Sequence, residues 1–297
     1  KAQGGRTPRS LRSLLLMSDF QSINEAINKR AGRKLGPSII VSLSLVALIW
    51  FALAYRREVF AVVVAVAVLL GIREIVRAFN VRGIYISVVS LAAGAVVLTY
   101  ATWNGGAAGL AIATAIAIPL LLIQLLTKGP EGFVQSATAT IFSLLYLPFL
   151  GGFLILLAKP STGLERVMTF VVLVGCNDTF GYIVGVLFGK HPLVPVISPK
   201  KSWEGLIGSL VFTVIGGSLA FEYIMEMQWW IGAIVGLMIV FTATCGDLIE
   251  SAMKRDLHLK DMGTLLPGHG GILDRLDSVL ISAPALWLAL ELVKRWL

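Results

Sequence analysis

Nine long apolar runs set the terms on which this chain can fold: 37–55, 59–75, 84–101, 107–127, 137–158, 167–188, 206–223, 229–249 and 276–293. A helix of about 20 residues rises roughly 30 Å, the thickness of the hydrocarbon core of a bilayer. The runs are continuous rather than alternating, so they predict helices and not the strands of a closed barrel. The second run is the weakest, because Arg73 and Glu74 cut it short; that pair reads as an interfacial ion pair or a snorkelling arginine. Composition agrees with a membrane chain: 57% of residues are apolar and 14% charged, where a soluble domain carries about a quarter charged residues. Disorder, a coiled coil, a disulfide scaffold and an ordinary soluble enzyme are excluded. Cys176 and Cys245 lie in apolar stretches and are expected as buried packing residues, not a zinc or redox pair. Gly216, Gly217 and Gly232 allow close approach of helices. The expected fold is an all-α polytopic membrane protein with about nine transmembrane helices.

A net charge of +8 is compatible with nucleic acid until its placement is read. With the N-terminus in the cytosol and sides alternating, 19 Lys/Arg fall inside and 6 outside, as the positive-inside rule requires. The charge then reports topology and contact with anionic lipid, and no nucleic-acid partner is expected. The chain divides into a basic tail (1–35), N-terminal transmembrane helices (36–160) and a catalytic transmembrane region (161–297). Residues 1–16 precede the first methionine, Met17, and are a candidate addition to the natural chain. Residues 19–34 read equally as an amphipathic surface helix, with Phe20, Ile23 and Ile27 at helical spacing, or as a basic tail.

Chemistry concentrates in the second half. In the first cluster, Asp247, Glu250/Ser251 and Lys254 fall at i, i+3/i+4 and i+7, one stripe of a helix. Asp274 and Asp277 share a face at i and i+3. Between these pairs lies Pro267-Gly268-His269-Gly270-Gly271, whose glycines let backbone N–H groups approach a phosphate. Paired carboxylates beside such a cradle suit Mg²⁺, which takes a few carboxylates plus substrate phosphate oxygens. The second cluster is Asn177-Asp178. Asp178 lies eleven residues before Gly189, about 16 Å into the membrane region. It must face a polar cavity, pair with a cation or be protonated. The third is Ser198-Pro199-Lys200-Lys201-Ser202. Pro199 argues for a turn, Ser202 for a helix cap, and the two lysines for a clamp on a triphosphate. Alternating topology brings all three clusters to one side.

At these residues the sequence resembles the integral-membrane phosphatidate cytidylyltransferases, or CDP-diacylglycerol synthases. The family pattern is met by Ser251, Met253, Lys254, Arg255, Lys260, Asp261, Gly263, Leu266, Pro267, His269, Gly270, Gly271, Ile272, Asp274, Arg275, Leu276 and Asp277, and Asn177-Asp178 and Ser198-Pro199-Lys200-Lys201 also match. The resemblance covers residues 171–280; the first five helices match only in hydropathy. It implies a nucleotidyltransferase of phospholipid biosynthesis that turns CTP and phosphatidate into CDP-diacylglycerol and pyrophosphate. Asp247, Lys254, Arg255, Asp274 and Asp277 are then the expected catalytic residues. Asp247, Asp274 and Asp277 are the expected ligands of Mg²⁺, and the identity of a second cation is open. Asp178, Ser198, Lys200, Lys201, Ser251, Lys260, Asp261, His269, Gly270, Gly271 and Arg275 are expected to bind substrate. The setting implied is a bacterial inner membrane with the active site facing the cytosol, and a homodimer is compatible with it. Three competitors stay open: a CTP-dependent polyprenol kinase, a CDP-archaeol synthase and an ion-coupled transporter.

Overall fold

The computed structural model describes residues 35–263 and 271–296, with side chains described over 43–263 and 271–295. The tail expected over 1–35, including the 19–34 segment, therefore lies almost wholly outside the described residues. The chain forms two units, Lys1–Ser44 and Leu45–Leu297. Of the first, the described part is the helical start of α1 (Leu35–Tyr55). The second holds the remaining elements: α2 (Arg57–Val81), α3 (Val88–Leu126), α4 (Phe133–Leu144), a π-helical turn (Leu145–Phe149), α5 (Leu150–Ala158), α6 (Gly163–Phe188), β1 (Pro192–Val194), β2 (Ser198–Ser202), α7 (Trp203–Tyr223), α8 (Trp229–Asp256) and α9 (Leu273–Trp296).

Seven helices among the described residues are long and apolar enough to cross a membrane. The structure departs from the expected runs at the second, third and fourth, while the fifth, 137–158, stands as one span. The run expected to stop near Ile75 continues to Val81, because Glu74 is buried and hydrogen-bonded rather than exposed to lipid. The π-helical turn joins α4 and α5 into one stretch, Phe133–Ala158, around Pro148, whose missing N–H leaves a gap in the ladder. Two further runs merge in the 39-residue α3, which has one non-helical residue, Gly106 (φ 62°, ψ −146°).

A straight helix of that length would reach about 58 Å, twice the hydrocarbon core. Instead α3 doubles back at Gly106. The Lys128 ammonium just past its end lies 4.9 Å from the centre of the Tyr85 ring just before its start. A Cβ on Gly109 would collide with the Ala101 carbonyl. Only a glycine takes the φ and ψ of residue 106 without strain. The ends of the bundle sort accordingly. Arg57 Nη1 donates to the Lys159 carbonyl (2.7 Å) and Lys159 Nζ to that of Asn104 (3.2 Å), gathering three reversals at one end. Arg82 Nε donates to the Leu257 carbonyl (2.8 Å) at the other.

The core runs through α2, α3, α5, α6, α8 and α9, where Ile72, Leu91, Leu157, Leu173, Ile239 and Leu286 are fully buried. The outer surface is also apolar, with Val89, Ile112, Ile123 and Phe241 exposed, as a bundle solvated by lipid requires. Thr102 and Thr114 turn their hydroxyls back to carbonyls one turn earlier (2.6 and 2.7 Å), which leaves those donors satisfied without water.

Small residues set the approach of the last helices, as expected. The backbones of Gly217 on α7 and Gly232 on α8 touch, and Gly246 on α8 lies against the Asp277 carbonyl on α9. Cys176 packs against Gly216; both cysteines are half-buried rather than fully buried. The loop between α6 and α7 corrects another expectation. Pro199 sits in a strand, not a turn: Ser198–Ser202 pairs antiparallel with Pro192–Val194. A two-stranded ribbon has only edge strands, which tolerate proline. Ser202 does cap α7, its Oγ accepting from Gly205 N at 3.1 Å.

Candidate active site

Four elements deliver charged groups to one end of the bundle. The stripe expected on α8 is helical throughout. The close Gly246–Asp277 contact brings its Asp247 beside Asp277 on α9; Glu250 stands one turn further along α8, and Asp178 meets Ser278, the residue after Asp277.

The two lysines of β2 part company, because successive strand residues point to opposite faces. Lys201 turns inward and its ammonium pairs with Asp247 Oδ2. Lys200 turns the other way, into a cavity of about 500 Å³. That cavity is lined by Ser198, Lys200, Ser251, Lys254, Arg255 and Lys260, with His258, Leu259, Ile197 and Pro199. Four of the lining side chains are permanently cationic or nearly so, which suits a polyanion. Arg255 is held at its rim by the Ile197 carbonyl, to which Nε donates at 3.4 Å.

Lys254 stands where this basic cavity meets the acidic cluster. It lines the cavity, yet its ammonium pairs with Glu250 Oε2 and, at 2.9 Å, with Asp274 Oδ1. Asp274 is fully engaged, since its Oδ2 also accepts from Gly271 N (2.7 Å) and Met262 N (3.2 Å). Asp277 Oδ1 accepts from its neighbour's amide, Ser278 N (2.8 Å). Asp178, exposed on an open face of α6, accepts from Asn177 Nδ2 (2.9 Å) and Ser278 Oγ (3.3 Å). It thereby ties α6 to α9.

Among the described residues, no three His, Cys, Asp or Glu side chains already converge as a metal-ligand set. Two of the three expected ligands are instead engaged by lysines, Asp247 by Lys201 and Asp274 by Lys254. Among the described residues, the carboxylates of this cluster, Asp178, Asp247, Glu250, Asp274 and Asp277, still outnumber the lysines paired with them five to two.

A family model for cytidylyltransferases matches residues 37–293 of this chain. The chain belongs to the cytidylyltransferase family. Among its relatives is a phosphatidate cytidylyltransferase of Mycobacterium bovis, 39% identical over 277 residues that cover 89% of this chain and 90% of the relative. One of Mycobacterium tuberculosis is 39% identical over 277 residues, 89% of this chain and 84% of the relative. One of Staphylococcus haemolyticus is 37% identical over 174 residues, 58% of this chain and 65% of the relative.

In this cytidylyltransferase most of the expected site residues gather in two adjoining groups. Asp178, Lys201, Asp247, Asp274 and Asp277 form the acidic group; Ser198, Lys200, Ser251, Arg255 and Lys260 line the basic cavity; Lys254 belongs to both. Gly271 contributes its amide to Asp274. Asp261 is exposed and outside the cavity lining, and Arg275 is half-buried on the first turn of α9. His269 and Gly270 lie outside the described residues. Sequence reasoning placed Glu250 on the α8 stripe but gave it no site role; its side chain is 2% exposed, and its place four residues before Lys254 is an ion-pair spacing. The same reasoning missed Ser278, buried beside Asp277, and Glu74, read as a partner of Arg73. Glu74 is buried while Arg73 is exposed, because adjacent helical residues face about 100° apart.

Proposed function

We propose that this chain is the membrane enzyme that joins CTP to phosphatidate, forming CDP-diacylglycerol and releasing pyrophosphate. The observation that carries the site assignment is Lys254, shared between a basic cavity and a carboxylate cluster. A triphosphate seated among Lys200, Arg255 and Lys260 would extend toward Lys254 and the carboxylates beyond it. An oxygen of the phosphatidate headgroup attacks the α-phosphorus of CTP; the bond from that phosphorus to the bridging oxygen of the β-phosphate breaks, and pyrophosphate leaves with the electron pair. The attacking oxygen is already anionic, so no strong general base is needed. What the protein must supply is positive charge to bring two anions together and to hold the leaving group.

The surplus of carboxylates fits a divalent cation, since five such groups against two paired lysines is costly without one. Asp247 and Asp277 would hold Mg²⁺, with Asp274 held beside them by Lys254 and two backbone amides. When bound, the ion would neutralise phosphate charge in the transition state. Lys201, which pairs with Asp247 here, would then be available to a phosphate oxygen. Asp178 and Ser278, on the exposed face of α6 and the start of α9, mark the side from which a lipid headgroup enters. In this reading the chain crosses a bacterial inner membrane nine times, each half of α3 once. The N-terminus and the site then face the cytosol, where CTP is.

The deciding experiment gives purified protein CTP, Mg²⁺ and phosphatidate. Pyrophosphate labelled from γ-labelled CTP, together with a cytidine-bearing lipid, is the expected result. Label appearing in the lipid instead would identify a kinase, and no turnover of CTP would favour a transporter.

A further inference from the structure

We infer that Glu74, on α2, is a positioning residue for the catalytic turn of α9, an inference that rests on the reaction proposed above. Nothing on α2 lines the basic cavity or pairs with its carboxylates, yet Glu74 sends its carboxyl group to the base of the loop that joins α8 to α9. It is 7% exposed. Its Oε1 accepts from Ile272 N at 3.0 Å and its Oε2 from Leu273 N at 2.9 Å. The first amides of a helix have no partner within it and carry its positive end. A capping side chain normally comes from the adjoining residues, whereas this one comes from 198 residues away.

The glycines at the base of the loop complete the seat. Gly263 before it and Gly271 after it both press on the Glu74 carboxyl group, so that a Cβ at either position would run into it. The two sides of the base are therefore held on one side chain. The same two sides meet at Asp274, whose Oδ2 accepts from Met262 N and Gly271 N. Glu74 and Asp274 both clasp the base, and Asp274 at the same time holds Lys254 at 2.9 Å. Eight residues on, just past the end of α2, Arg82 Nε donates to the Leu257 carbonyl at the C-terminal end of α8. Each end of the connection is thus met by the charge that its helix dipole favours. Moving the start of α9 moves Asp274 and Asp277 together, and misplacement by about 1 Å costs on the order of a hundredfold in rate.

The test measures kcat and both KM values for Glu74→Ala and Glu74→Gln, with melting temperature and backbone hydrogen exchange in the same detergent. The basic cavity is lined from β2, α8 and the residues just after α8 as far as Lys260, none of which touches the Glu74 carboxyl group, so the variants should leave the KM for CTP within about threefold while kcat falls, by about ten- to a hundredfold in Glu74→Ala. Glu74→Gln keeps the shape and one acceptor oxygen, and should lie between it and the wild type. The amides of Ile272 and Leu273 should exchange at least about tenfold faster in Glu74→Ala. A kcat within twofold of an active wild type overturns the inference alone, whether or not the melting temperature drops, since a purely structural cap would move only the latter. A fall in kcat with unchanged exchange at Ile272 and Leu273 overturns it as well. A wild type that makes no cytidine-bearing lipid overturns the proposed reaction and the positioning role with it. If Glu74→Ala does not fold, Glu74→Gln decides by the same criteria.

Discussion

At the residue scale, the two adjacent lysines show how much a local alternation decides. Read as a pair they form one clamp; placed on a strand they serve two groups. Lys200 faces the basic cavity and Lys201 the carboxylates. Lys200→Ala should therefore raise the apparent KM for CTP by about tenfold, the worth of one charged phosphate contact, with kcat little changed. Lys201→Ala should act on kcat instead. Steady-state kinetics with each substrate varied separates them, and equal effects on KM would reunite the clamp. Asp274 is more demanding, because its removal leaves Gly271 N and Met262 N without their acceptor and Lys254 with Glu250 alone. Asp274→Ala should lose at least about a hundredfold in turnover, and extra Mg²⁺ should not restore it. Restoration by Mg²⁺ would show that Asp274 acts chiefly by binding the ion.

At the scale of elements, the active end depends on how closely α8 and α9 pack. Gly246 touches the Asp277 backbone, which cannot swing aside as a flexible side chain would. Gly246→Val should cost about 1–3 kcal/mol and separate Asp247 from Asp277, with loss of turnover. Gly175 on α6 has nothing within 4 Å of its Cβ position. Gly175→Val should change stability by less than about 0.5 kcal/mol. Melting in detergent compares the two, and equal shifts would mean that the α8–α9 contact does not limit the approach. The β1–β2 ribbon has an analogous role on the other side, since it presents Lys201 to Asp247 just before the capped start of α7.

At the scale of the whole molecule, the path of the helices through the membrane turns on α3. The reversal at Gly106 makes the flanks of α3 neighbours, and it joins Asn104 to Lys159 at the far end. Single cysteines at Val81 and Thr127, in a chain lacking Cys176 and Cys245, should be labelled from the same side as one another. A cysteine at Gly105 should be labelled from the opposite side. Labelling of Val81 and Thr127 from opposite sides would make α3 a single crossing and break the nine-span reading.

The sequence by itself determined the solvent, the helices and most of the chemical groups. Apolar runs of bilayer length leave few other folds, and the motif residues from Ser251 to Asp277 named the reaction class before any geometry was known. Spacing along a helix also placed Asp247 and Lys254 on one stripe, because the period of a helix is fixed by its backbone. Tertiary structure alone decided the partners. That Lys201 meets Asp247 and Lys254 meets Asp274 depends on strand pairing and on a glycine contact between helices, neither of which has a local signature. It also decided that Glu74 faces inward: a carboxylate in an apolar run is costly wherever it points, and only the two amides at the start of α9, 198 residues on, show what offsets that cost.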